Sequence, residues 1–164
     1  MFSKIWAFEP GARQFTALQT RTSRLIAEWA LDVNSIELVN AGLGETDCAI
    51  RVTSANGQLT NLAADDDTSV DGVPVDIVAL DDFLKGDRIT FLKADVEGME
   101  MALLKGAQST ILRHRPKIAV CVYHHPSDIP EIANHLRALV PDYRFALRHH
   151  SPQLLETVLY CWVE

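Results

Sequence analysis

Asp95, Glu97 and Glu100 fall within six positions of one another, with Gly98 between the last two, in the stretch Ile89–Glu100 (ITFLKADVEGME). Ile89, Phe91 and Leu92 form a short apolar run with β-branched and aromatic members, read as a buried strand that Lys93 and Ala94 close. Met99–Leu112 reads as the helix that follows. Carboxylates at the C-terminal tip of a buried strand, then a glycine, then a helix, stand where an open α/β sheet takes its ligand. A helix N-terminus favours the anion, so these groups suit the work of a base or hydrogen-bond acceptor better than that of an acid. The same spacing also suits plain helix capping. The helix can separate the two roles. Met99, Leu103, Ala107 and Ile111 make its apolar face, while Glu97 and Glu100 leave the first turn in different directions. One can cap while the other faces a ligand.

His124, His125, His149 and His150 are the other groups able to do chemistry. His124 follows the strand Lys117–Tyr123, a position suited to a ligand contact or a general base. Adjacent histidines point apart, and two pairs without fixed spacing are weak evidence for a metal centre, so none is expected. Gly42-x-Gly44 after a strand is reminiscent of a dinucleotide loop, but Asp47 stands at the third glycine position and Ala49–Thr53 alternates like a strand. Asn40–Gly44 is therefore read as a turn. Asp67, Ser69, Asp71 and Gly72 resemble the start of a calcium loop, yet Val78 stands where its closing Glu belongs, which favours a solvated loop.

Net charge and composition narrow the classes. A formal charge of −7 and a pI near 5.3 argue against a nucleic-acid or anionic-membrane surface, since both need a basic footprint. With 48 % hydrophobic and 23 % charged residues, the 164 residues are expected to form a single domain, 1–164, with a sizeable core. No apolar run reaches transmembrane length, and Met1–Pro10 lacks the apolar core of a signal peptide. Cys48, Cys121 and Cys161 are odd in number and set among apolar residues, and read as buried free thiols in a reducing compartment. The cytoplasm is the default location.

The elements that must position these groups follow from periodicity. Lys4–Phe8 is a strand broken by Pro10-Gly11. Phe15, Leu18, Leu25, Ile26 and Trp29 make one face of a helix running to about Leu31. Ser35–Val39 is a second strand, so the opening reads as a crossover joining a parallel pair. Ala49–Thr53, Gly57–Leu62 and Val73–Ala79 read as an antiparallel excursion with a hairpin at Asn56-Gly57. Leu80–Leu84 is a short helix capped by an Asp. Beyond Pro116, Lys117–Tyr123 is continuous in apolar residues and expected to be buried on both faces. Ser127 caps a helix with Pro130 in its first turn and Ile129, Ile132, Leu136 and Leu139 on its buried face. Tyr143–Arg148 and Thr157–Val163 then suit an antiparallel pair at a sheet edge, with the polar turn His149–Pro152 after the first.

These segments resemble the FkbM family of S-adenosylmethionine-dependent methyltransferases. The resemblance runs through LDDFL (Leu80–Leu84), LKADVEGMEMALLKGA (Leu92–Ala107), RPKIAVCVYHHPSDIPEI (Arg115–Ile132) and YRFALRHHSPQLLETVLYCW (Tyr143–Trp162), with AFEP (Ala7–Pro10) resembling the family's second-strand motif. It implies an α/β fold, a Rossmann-like, doubly wound, mostly parallel sheet with an antiparallel C-terminal strand pair. It implies S-adenosylmethionine as cofactor, with Glu9 taking the ribose hydroxyls, Asn40 and Ala41 bordering the adenine, and Asp95 and Glu97 facing the methyl group and acceptor. The implied reaction is O-methylation of a sugar or natural-product hydroxyl, a small-molecule acceptor, with Asp95 as first candidate base and His124 as second. The family begins with a strand and glycine-rich loop that have no counterpart here. The chain is thus expected to be an N-terminally truncated methyltransferase-like domain with its first strand missing.

Two other readings stay open at this level. One is a non-catalytic remnant or binding module of the same fold. The other is a metal-dependent hydrolase using Asp95, Glu97 and the histidines.

Overall fold

A computed structural model describes residues 3–55, 58–64, 73–152 and 155–164. The acidic loop with Asp67, Ser69, Asp71 and Gly72, and the Asn56-Gly57 turn, lie outside the described residues. The chain divides into two compact units, Met1–Gly42 with Asp47–Ile77, and Leu43–Thr46 with Val78–Glu164.

In the first unit, β1 (Ile5–Phe8) and β2 (Ile36–Val39) pair in parallel, Ile5 opposite Ile36 and Phe8 opposite Val39. The helix α1 (Ala12–Trp29) connects them, as the strand-helix-strand pattern predicts. Its apolar face is covered only in part. Phe15, Leu18 and Ile26 are half-buried, whereas Leu25 and Trp29 are exposed, Trp29 at 72 %. An 18-residue helix is about 27 Å long. A four-residue strand is about 13 Å, so the far end of α1 outruns the strands it joins. The short strand β3 (Gly42–Gly44), of which Leu43 and Gly44 belong to the second unit, stands where a turn is expected from the sequence. Two glycines in three residues carry no β signal of their own, and pairing with a neighbour supplies the strand. β4 (Cys48–Ala55), β5 (Gln58–Ala64) and β6 (Val73–Ala79) make the antiparallel excursion, in the sheet order β3-β6-β4-β5. Ala55 pairs with Gln58.

The second unit carries α2 (Leu80–Leu84), β7 (Phe91–Ala94), α3 (Glu100–Gly106), α4 (Gln108–His114), β8 (Lys117–Cys121), α5 (Asp128–Leu139), β9 (Arg144–His149) and β10 (Thr157–Trp162). The sheet order is β7-β8-β10-β9, parallel between β7 and β8 and antiparallel in the other two pairs. β8 is buried from Ile118 through Cys121, as its continuous apolar sequence predicts for a strand with neighbours on both sides. β7 starts two residues later than Ile89 and alternates. Leu92 and Ala94 are buried, but Phe91 is 47 % exposed, because one face of β7 is covered and the other is not; among the described residues β7 stands at the end of its sheet. Leu103, Ala107, Ile111, Ile132 and Leu136 are fully buried and form the helical side of the core, where α2 and α5 each pack on α3 and α4. Ile129, expected on that face, is exposed because it sits in the first turn of α5, ahead of the packed stretch. Ser127 holds the N-cap position without a side-chain hydrogen bond. The Asp128 carboxylate instead accepts from the His125 N–H at 2.7 Å.

The sequence predicts one helix over Met99–Leu112; the chain breaks it at Ala107. The reason lies upstream, at Asp81. The helix Leu80–Leu84, expected to be capped by an Asp, has Ala79 at its N-cap, and Asp81 accepts from the Ser109 and Thr110 N–H groups, both at 2.8 Å. Those two amides are thereby taken from the i−4 carbonyls that would have continued α3. Burial pushes the Asp81 carboxyl up, but the hydrogen bonds from Thr110 and Ser109 outweigh it and hold the group below its ordinary value of 3.8. A depressed folded-state value gives stability that is present above the unfolded value and lost as pH falls through the folded one. Asp81→Asn is therefore expected to lower the melting temperature at pH 7, with the difference from the wild type closing as pH falls below about 4. A gap that stays constant down to pH 2 would contradict this capping role.

The three cysteines differ in exposure. Cys48 is exposed, contrary to the expectation from its apolar neighbours, because it opens β4 at the end of an exposed connection. Cys121 and Cys161 are buried, and burial pushes each thiol up to about 12. A thiol reagent at pH 8 should label one cysteine rapidly and the other two only on unfolding. Rapid labelling of all three would contradict the packing of β8 against β10.

Candidate active site

β7 and β8 run parallel with Ala94 opposite Val120, so the residues that follow both strands emerge at the same sheet end. Asp95 follows β7, and Tyr123 and His124 follow β8. The connection from β7 into α3 is tight. Glu97 has φ +53° and Gly98 φ +95°, both in the left-handed region. Gly98 is required by its φ; a Cβ there would also lie 2.8 Å from His125 Nε2, at the end of an exposed ring that can move aside. A glutamate held at positive φ is strained by ~1–3 kcal/mol, an expense that recurs at functional turns.

This turn separates the carboxylates as the spacing allows. Glu100 turns inward, 1 % exposed, and accepts from the Val96 N–H at 3.0 Å, closing the turn. Glu97 turns outward, its side chain 59 % exposed. Asp95 lies between, 33 % exposed, and accepts from the Tyr123 hydroxyl at 3.0 Å. The His124 ring, 11 % exposed, lies among all three. Its Nδ1 is 2.9 Å from Glu100 Oε1, and its Nε2 is 3.4 Å from Glu97 Oε2 and 3.7 Å from Asp95 Oδ1. The Tyr123 ring leans on His124 with centroids 4.2 Å apart. Burial, and then the Asp95 carboxylate it donates to, push the Tyr123 phenol well above its ordinary value. Tyr123 thus stays a hydrogen-bond donor to Asp95 at any physiological pH.

Asp95, Glu97 and His124, the three groups singled out from sequence, are thus brought together. Glu100 and Tyr123 complete the cluster. For Glu100 the signal was present in the two directions of the first helical turn. For Tyr123 it was only its place at the end of β8. His149 and His150 lie at the same sheet end, across β10 from β8, paired with Thr157 Oγ1 at 2.9 Å and the Tyr160 hydroxyl at 3.0 Å on β10. They serve the β9–β10 edge.

In the first unit, Glu9 follows β1 and Asn40 follows β2, at the same end of the parallel pair. The Asn40 Nδ2 donates to the backbone carbonyls of Glu9 at 2.8 Å and Pro10 at 3.1 Å, which ties the two strand tips together. Glu9 is half-buried, and its Oε1 accepts from the Gly11 N–H at 2.8 Å, ahead of α1. Asn40 is exposed and Ala41 is buried at 4 %.

An α/β fold with mixed sheets and an acidic cluster at a strand end defines the broad class. A family model for the methyltransferase FkbM domain matches residues 3–147, and the chain belongs to that family. The crystal structure of methyltransferase FkbM from Methylobacillus flagellatus KT is similar at a TM-score of 0.78 with 29 % sequence identity, over 98 % of this chain and 36 % of that one. The chain thus spans about a third of the length of that solved relative. No curated protein matches it. Among the described residues, no helix is long and apolar enough to cross a membrane.

Proposed function

We propose that the protein transfers a methyl group from S-adenosylmethionine to a hydroxyl of a sugar or natural product. Family membership supports methyl transfer, and the convergence of Asp95, Glu97 and His124 at one sheet end is the observation that carries the choice of a hydroxyl acceptor. A hydroxyl must lose a proton as it is methylated, and this cluster offers acceptors for it. Parallel pairs in both units and the antiparallel end β10-β9 support the Rossmann-like, doubly wound reading.

S-adenosylmethionine, when bound, supplies a methyl group activated by a positively charged sulfur. The residues present fit it. One Glu9 carboxylate oxygen is committed to the Gly11 N–H, which fixes the side chain and leaves the other oxygen to accept from ribose hydroxyls. Asn40, exposed beside it, and the buried Ala41 border the adenine. In the second unit, Asp95 takes the proton of the acceptor hydroxyl. The Tyr123 hydroxyl fixes the Asp95 rotamer, so the carboxylate is oriented before the acceptor arrives. His124 is the second base at this site, and Glu97 contributes to acceptor binding at the exposed side.

Two measurements test the reading. Label from methyl-labelled S-adenosylmethionine should enter sugar or natural-product acceptors as an ether, stable to mild alkali. Label found in alkali-labile esters or on nitrogen would overturn the hydroxyl assignment. Glu9→Ala should raise the dissociation constant for S-adenosylhomocysteine about tenfold or more, the worth of a charged hydrogen bond to a ligand hydroxyl. Unchanged affinity would remove Glu9 from the cofactor site.

A further inference from the structure

The Glu100–His124 contact is not satisfied as a hydrogen bond. Nδ1 and Oε1 are 2.9 Å apart, yet neither ring nitrogen of His124 has a properly directed hydrogen-bond partner, although both are buried. The second carboxylate oxygen of Glu100 is likewise buried and has no partner, on a side chain that is 1 % exposed. Unpartnered buried polar atoms are rare and costly, and three at one place ask for a ligand. Charge points the same way. Among the described residues, His124 is the only ion-pair partner of the three carboxylates Asp95, Glu97 and Glu100, with no lysine or arginine in reach.

We propose that Asp95, Glu100 and His124 bind a divalent cation. One donor atom from each lies within 4.8 Å of the other two. Two donors bound at about 2.1 Å and at right angles to one another lie about 3 Å apart, the separation seen between His124 and Glu100. Two carboxylates and one imidazole suit Mn²⁺ or Zn²⁺, and Mg²⁺ with added water. The hydrogen bonds from Val96 N–H to Glu100 and from Tyr123 to Asp95 hold these ligands in place, the outer support that metal sites require. Glu97 stands at the open side as a further oxygen donor. The inference rests on the proposed methyl transfer for its purpose: a cation there draws the acceptor hydroxyl in and makes its proton easier to remove.

The test is titration of the purified chain with Mn²⁺, followed by the fall in the electron paramagnetic resonance signal of the free ion. One site with a dissociation constant in the micromolar range is expected, with a rise in melting temperature. Glu100→Gln should weaken binding at least tenfold. Asp95→Asn, at a partly exposed position, provides the same test should the buried substitution unfold the chain. Absence of Mn²⁺ binding, or Mn²⁺ binding unchanged in these variants, overturns the site. Neither readout involves the cofactor. Loss of cation binding with intact S-adenosylhomocysteine binding refutes the metal alone, and the converse refutes the methyltransferase reading alone.

Discussion

Asp95→Asn is expected to reduce methyl transfer by a factor of about 10²–10⁴, the usual contribution of a positioned general base. The substitution keeps the size of the side chain and an oxygen able to accept from the Tyr123 hydroxyl, so the strand tip should hold its shape. What it removes is the second negative oxygen and with it the capacity to take a proton. Asp95→Ala removes both and should abolish turnover. The exposure of Asp95, 33 %, keeps these effects in the chemistry and out of the folding equilibrium. Melting temperatures within a few degrees of the wild type are therefore part of the expectation. Full turnover in either variant would refute the role assigned to Asp95 and pass it to His124.

Gly106→Ala should destabilise the fold by ~3 kcal/mol, measured as the midpoint of urea unfolding. Inside an exposed helix the same change would stabilise by about 0.5–1 kcal/mol, since glycine is the poorer helix former. The sign reverses here because a Cβ at Gly106 would overlap the backbone carbonyl of Gly44. Backbone meets backbone, and no side chain is available to swing aside. Leu103 and Leu104 on the same short helix are fully buried, so α3 cannot shift outward without losing core contact. A stabilised Gly106→Ala variant would show that β3 and α3 do not approach this closely.

Much of the architecture was legible because it is local. The parallel pair β1–β2, the buried β8 and the antiparallel end β10-β9 follow from apolar runs of strand length and the elements between them. The candidate base cluster was legible for the same reason, since Asp95 and His124 each directly follow or nearly follow a strand. What escaped is long-range. The break at Ala107 depends on Asp81, whose preference for the amides of Ser109 and Thr110 over its own helix start leaves no mark in the helical periodicity. β3 depends on pairing and on a glycine at each end. The exposure of Trp29 depends on how far α1 extends beyond two short strands, while the 3.6-residue period reports only which side of a helix is apolar. Glu100 was visible as one of two divergent carboxylates, but its contact with His124 needed the parallel register of β7 and β8 to be known.

The most direct test of the central claim is calorimetric titration of the chain with S-adenosylhomocysteine. One site with micromolar affinity, on the order of −8 kcal/mol, is expected, with weaker binding in Glu9→Ala. No heat and no thermal stabilisation at millimolar ligand would contradict it.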